Sequence, residues 1–191
     1  MCRVFPCVRH GSSCAEKWTS VGPWATAIRE VAKHTPELAQ LIVSNGGVAA
    51  LVDYVNESES NNRLPGIMAL GYIAAFSETL ATAVIASKGV APLFAALVEE
   101  PEDHIKSASA WSLGQIGRHT PDHAKAVADA GVLTKLVAVG SLDASSEDLK
   151  TKCTRALKFI IEKLTDLSAL DRTLQAGPSP QNRFQPALVH L

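Results

Sequence analysis

The sequence predicts an all-α superhelix built from three-helix repeats, and three observations carry that prediction. The 191 residues include 28 Ala and 20 Leu against five Phe, three Trp and two Tyr, a composition that favours closely packed helices over sheets. Three segments, Asn45–Val52, Ser87–Phe94 and Asp129–Leu136, align on Gly47, Gly89 and Gly131 at two successive spacings of 42 residues. A second register is independent of the first. Ala25–Pro36 (ATAIREVAKHTP) matches Ala110–Pro121 (AWSLGQIGRHTP) at an offset of 85, and Ile67–Glu78 (IMALGYIAAFSE) matches the later copy at 43.

Taken in order, residues 1–22 form an irregular leader without apolar periodicity. The array spans 23–175. It opens with a lone third helix at 24–34, continues through full repeats at about 36–76, 78–119 and 121–164, and closes with a weak partial repeat at 166–175. Two of the repeats begin with the same signal, Thr35-Pro36-Glu37 and Thr120-Pro121-Asp122: a capping hydroxyl, a proline at the first helical position, and a carboxylate against the positive end of the dipole. In the second repeat Leu80, Ala83, Val84 and Ser87 share one face of a short first helix. That helix is expected to end at Gly89 in the left-handed conformation. Leu93, Ala96 and Leu97 mark the second helix, which Pro101 terminates; Ile105, Ala108, Leu113, Ile116 and Gly117 mark the buried stripe of the third. Gly177-Pro178-Ser179-Pro180 opens a tail, 176–191, expected to be flexible.

Charge and hydropathy remove several function classes. Lys and Arg total 18 against 19 Asp and Glu, so no overall field gathers nucleic acid around the chain. The longest apolar run, Gly89–Val98, contains a proline and is far shorter than the roughly 20 residues that span a bilayer, so no membrane segment is expected. The first residues, MCRVFPCVRHGSSC, lack the apolar core of a secretory signal, which places the chain in the cytosol or nucleus. Cys2, Cys7, Cys14 and Cys153 form no disulfide framework and are read as reduced thiols.

Catalytic, cofactor and metal sites are not expected. His119 and His123 have the i, i+4 spacing of helical metal ligands, but Pro121 separates them across a turn, and they are read as solvent-exposed. Cys2, Cys7, His10 and Cys14 have ligand chemistry without the spacing of a zinc module. Gly46-Gly47 and Gly114-x-x-Gly117 lack the strand and lysine of a phosphate loop, and the second pair is read as a close helix approach. Glu99, Glu100, Glu102 and Asp103 are read as a solvated turn, with a docking patch as the alternative.

Repeats of about 40 residues with three helices and a glycine before the second resemble armadillo repeats, which implies a right-handed superhelix. Within that fold, AIREVAKHTPELAQLIVSNGGVAALV, NNRLPGIMALGYIAAFSETLATAVIASKGV and EEPEDHIKSASAWSLGQIGRHTPDHAKAVA resemble the armadillo proteins of the ciliary and flagellar central apparatus, the sperm-associated antigen and paralysed-flagella family. The resemblance covers Ala27 to about Leu170; the leader and the residues after Asp171 depart from it, as in a shortened form. It implies a non-enzymatic scaffold in the axoneme of cilia and sperm flagella, part of the cytoskeleton, needed for motility. Its implied partners are central-apparatus proteins and tubulin or microtubules.

Partners of armadillo superhelices dock along the row of third helices. The nuclear-import members carry a Trp and, one turn later, an Asn in successive repeats; here the aligned pairs are Thr26/Glu30, Met68/Tyr72, Trp111/Gln115 and Arg155/Phe159. The partner-facing residues are therefore read as Met68, Tyr72, Trp111, Gln115 and Arg118, with Trp111 either an aromatic anchor or inter-repeat packing. A cargo adaptor for extended peptides, as in nuclear import, is the alternative, disfavoured by the missing Trp/Asn ladder. Trp24, Ile28 and Val31, with no repeat before them, are expected to leave an apolar N-terminal end that self-associates or binds a partner.

Overall fold

The computed structural model describes residues 22–164, which form ten α-helices and one 3-10 turn. Helix α1 is Gly22–Ala32. A first triplet follows: α2 (Pro36–Ser44), α3 (Gly47–Glu57) and, after the 3-10 turn Ser60–Arg63, α4 (Leu64–Phe76). The second is α5 (Glu78–Ala86), α6 (Val90–Glu99) and α7 (Asp103–Gly117); the third is α8 (Pro121–Asp129), α9 (Val132–Gly140) and α10 (Glu147–Lys163). There is no strand among the described residues, and no single helix there is long and apolar enough to cross a membrane.

Hydroxyl caps set where the first helices begin. The Thr35, Ser77 and Thr120 oxygens accept from the backbone N–H of Leu38, Leu80 and His123, each at 3.3 Å, satisfying one of the donors that a helix start leaves unpaired. Pro36 and Pro121 then take up positions where a missing N–H is harmless.

The corner between first and second helices needs one left-handed residue, and the structure corrects which one. Gly46 (φ 75°), Lys88 (φ 61°) and Gly131 (φ 79°) each lie ten positions after the first residue of their helix. Gly89 has φ −67° and belongs to the next helix start. Gly47 and Gly89 are instead glycines for lack of room: a Cβ would lie 2.9 Å from the Ile42 carbonyl oxygen and 3.0 Å from that of Val84. Gly131 is therefore the counterpart of Gly46, one residue off the alignment on Gly47, and this reconciles the 42- and 43-residue registers.

One continuous apolar core runs through all the helices, with Leu51, Ile67, Leu70, Ile73, Leu93, Leu97, Leu113, Ile116, Leu136 and Ile160 fully or almost fully buried. The third helices α1, α4, α7 and α10 pack side by side in succession. Small residues permit this approach: a Cβ on Gly114 would sit 2.9 Å from both Cα and Cβ of Ala156, and one on Gly117 would sit 2.7 Å from Ile160 Cγ1.

Polar links then stitch each repeat to the next. Ser112 Oγ donates to the Ile67 carbonyl at 2.9 Å. Arg118 Nη2 donates to that of Ala75 at 3.1 Å, and His119 Nε2 to that of Ala74 at 2.7 Å. His123 Nε2 lies 2.8 Å from Thr82 Oγ1. These two histidines are therefore not solvent-exposed: His119 is half-buried, His123 is buried, and their rings meet edge to face at 6.2 Å.

The acidic run is a solvated turn only in part: Glu99 is exposed, but Glu100 and Asp103 are drawn into contacts between repeats. Glu100 is 6% exposed, pairs with Arg63 Nη1 at 3.0 Å and accepts from Ser60 N at 3.1 Å, locking the first repeat to the second. Asp103 Oδ2 accepts from Ser146 N at 2.7 Å, locking the second to the third. That bond, ahead of the nearby Lys106, holds the Asp103 carboxyl below its usual range.

The apolar N-terminal end takes a different form. Trp24 and Ile28 turn inward against the core, the Trp24 ring meeting that of Tyr54 at 5.4 Å, and only Val31 of the three is exposed. The leader, the 166–175 helix, the tail and the Cys2, Cys7, His10, Cys14 set lie outside the described residues.

Candidate protein-docking groove

Side-by-side packing of four third helices creates a groove of about 460 Å³ across their shared face. Helix α4 contributes Leu64, Met68 and Tyr72, four residues apart and so one above another on a single face. Helix α7 supplies His104, Ser107 and Trp111 at the same kind of spacing, α1 supplies Arg29, and α10 supplies Asp148 and Lys152. Tyr72 and Trp111 meet edge to face at 5.1 Å and 67°, forming an aromatic floor. Trp111 and Lys152 also border a closed seam with Gln115, Arg155 and Phe159, too narrow to admit a water molecule.

Trp111 packs between repeats and also borders the groove. Its ring occupies the space where a Cβ on Gly71 would be, so it packs directly on the backbone of the preceding repeat. It is nevertheless only half-buried, and its remaining face lines the groove.

Of the other residues read as partner-facing, Met68 and Tyr72 join Trp111 in the groove. Gln115 is 6% exposed, and its Oε1 accepts from Arg118 Nη1 at 2.9 Å. Arg118 in turn bridges to Ala75 in α4, so these two brace the wall while Met68, Tyr72 and Trp111 form the open surface. The residues missed on α1 and α10 were Arg29, Asp148 and Lys152, and those missed on α4 and α7 included Leu64, Ser107 and His104. Leu64, Ser107 and His104 lie four residues before Met68, and four and seven before Trp111, so helical spacing alone could have found those three.

The groove's electrostatics are lopsided. Glu30 is engaged by both Arg29, at 2.7 Å, and Lys33; the Lys33 bond first and the Arg29 bond second hold its carboxyl below the usual range. Lys152 reaches Asp148 only at 3.9 Å. Arg118 is held by two neutral oxygens, and Arg155, exposed on α10, has no carboxylate at ion-pair distance among the described residues.

Among the described residues, nucleophilic and metal-ligating side chains form no comparable cluster. Among the described residues, no three His, Cys, Asp or Glu side chains are grouped to hold a metal ion. Burial pushes the Cys153 thiol up to about 11, so at neutral pH it is a packed apolar group and not a thiolate. Burial also lowers His119, against the opposing pull of its bond to the Ala74 carbonyl.

Structural comparison identifies this arrangement of helices. The chain superposes on computationally designed armadillo repeat proteins for modular peptide recognition with a TM-score of 0.75 at 16% identity, over 85% of this chain and 66% of that one. The fold is the armadillo repeat. An engineered protein gives a TM-score of 0.75 at 23% identity over 83% of this chain and 62% of its own. A designed armadillo repeat protein in complex with the peptide (KR)4 gives 0.66 at 18% identity over 88% of this chain and 72% of its own. No family model matches the chain. In sequence it is 57% identical to human sperm-associated antigen 6, and 58% identical to the mouse protein, over 82 residues. Those residues are 43% of this chain but only 16% of either relative, so the match spans about a sixth of their length.

Proposed function

We propose that the chain is a non-enzymatic protein-interaction scaffold of the axonemal central apparatus, supporting the motility of cilia and sperm flagella and associating with microtubules. The observation that carries the scaffold reading is the Tyr72–Trp111 floor of a groove running across four successive third helices, a surface built for an extended partner. The axonemal location rests on the 57% identity to sperm-associated antigen 6. The peptide complex of a designed protein with the same fold supports the use of such a surface for extended chains.

Proximity labelling tests it. The chain fused to a biotin ligase and expressed in ciliated cells should label central-apparatus proteins and tubulin. Label confined to nuclear-import factors, with none on the axoneme, would overturn the reading in favour of an import-type adaptor.

A further inference from the structure

We infer that the groove takes an extended acidic peptide segment carrying an aromatic side chain, which Arg155 and Lys152 hold by its carboxylates beside the Tyr72–Trp111 floor. This rests on the scaffold reading and names the chemistry of the partner at the same site.

Charge placement is the first reason. The whole chain is balanced, 18 basic against 19 acidic residues, so any excess of one sign on a face is local. The groove and the seam beside it are lined by Arg29, Lys152 and Arg155; Arg29 is paired with Glu30 at 2.7 Å and Lys152 lies 3.9 Å from Asp148, which leaves Arg155 as the uncompensated cation among the described residues. Outward along α10 a neighbouring depression of about 380 Å³ is lined by Lys150, Arg155 and Lys158 together with Thr151 and Thr154; Lys150 is paired with Glu147 at 3.2 Å and Lys158 with Glu162 at 3.8 Å, so Arg155 is again the cation left over. Arg155 belongs to both surfaces and has no ionic partner among the described residues, so its charge is available to a ligand. A basic peptide would meet like charge along this path; an acidic one meets complementary charge.

Shape and apolar chemistry supply the second reason. Four helices side by side make three steps of about 9 Å each, roughly 27 Å, which about eight residues of extended chain would span. Midway along that path lies the edge-to-face pair of Tyr72 and Trp111, with Met68 beside it, a seat for one aromatic side chain flanked by acidic neighbours.

Fluorescence anisotropy on the full chain decides the matter. The probe is a labelled peptide with one tyrosine flanked on each side by four glutamates; the comparator replaces the glutamates with lysines. The acidic probe should bind at least tenfold more tightly than the basic one, and more weakly as salt is raised. Lys152→Glu together with Arg155→Glu should lower its affinity at least tenfold. Neither side chain is buried, and circular dichroism confirms that the variant folds. Preference for the basic probe, or an affinity unchanged by the double substitution, would overturn the inference. So would equally tight binding of a labelled oligothymidylate, which would point to a phosphate-backbone ligand.

The two readings fail separately. Axonemal labelling retained in full by the double variant would leave the scaffold standing and overturn the groove assignment. Acidic-peptide binding without axonemal labelling would do the reverse.

Discussion

Removing the Glu100 carboxylate is the sharpest test of how the repeats hold together. Glu100 is 6% and Arg63 12% exposed, and their charged atoms are 3.0 Å apart. At that distance and an effective dielectric of about 20, the gross attraction is about 5 kcal/mol, most of it cancelled by the desolvation of two ions. Deleting one partner is another matter, because it leaves the other charge stranded; such losses run at about 3–5 kcal/mol in buried sites. Two features reduce the figure here. Arg63 keeps its bond to the Ser58 carbonyl, and Glu99 waits at 3.9 Å on the exposed side. Against that, the Ser60 N–H loses its acceptor, at about 1 kcal/mol. Glu100→Ala should therefore destabilise by about 2–3 kcal/mol in urea unfolding. The double variant with Arg63→Met should recover part of it, since no guanidinium is then left unpaired. A Glu100→Ala variant within about 0.5 kcal/mol of the parent would refute the reasoning and return Glu100 to the role of a solvated turn residue.

Three further outcomes follow from the same geometry. Gly114→Ala should lower the urea midpoint, because the roughly 1 kcal/mol of added helix propensity is outweighed by a Cβ placed 2.9 Å from the Ala156 backbone; a raised midpoint would show that α10 yields easily. Because burial lowers His119, the unfolded chain takes up that proton first as pH falls below about 6.5, so stability should drop between pH 7 and 5, and drop less in His119→Gln; parallel melting profiles would remove His119 as the cause. Cys153, its thiol pushed up to about 11, should resist iodoacetamide at pH 8 in the native chain and react in urea, as read by peptide mapping.

The legibility of the fold follows from which features are local. Thr35-Pro36-Glu37 and Thr120-Pro121-Asp122 start helices by bonds made within four residues, so the signal needs no tertiary context and the helices begin where it falls. The corner glycines were harder to read because two demands share adjacent positions. A left-handed φ at 46, 88 and 131 is a backbone requirement, which Lys88 meets without glycine, while Gly47 and Gly89 satisfy a steric requirement set by Ile42 and Val84. A sequence shows the glycine and not the reason for it. Glu100 and His123 were misread on the same account: their partners Arg63 and Thr82 lie 37 and 41 residues away, one repeat back, where local pattern does not reach.

The groove was legible in proportion to how far it follows from one helix. Tyr72 and Trp111 are found by aligning third helices, because residues at the same place in successive repeats lie side by side once the helices pack. Gln115 and Arg118, chosen by the same rule, are drawn into the wall because each found an acceptor or donor in its own or the preceding helix. What the rule omits is compensation: Arg29 is tied to Glu30 in its own helix, whereas Arg155 has no ionic partner among the described residues, and helical spacing does not separate the two. The cationic character of the surface lies in that difference between paired and unpaired charge, so Arg29→Glu should weaken an acidic ligand less than Arg155→Glu does. Equal losses in the anisotropy assay would mean that Glu30 does not neutralise its neighbour and that total charge, not its pairing, governs the groove.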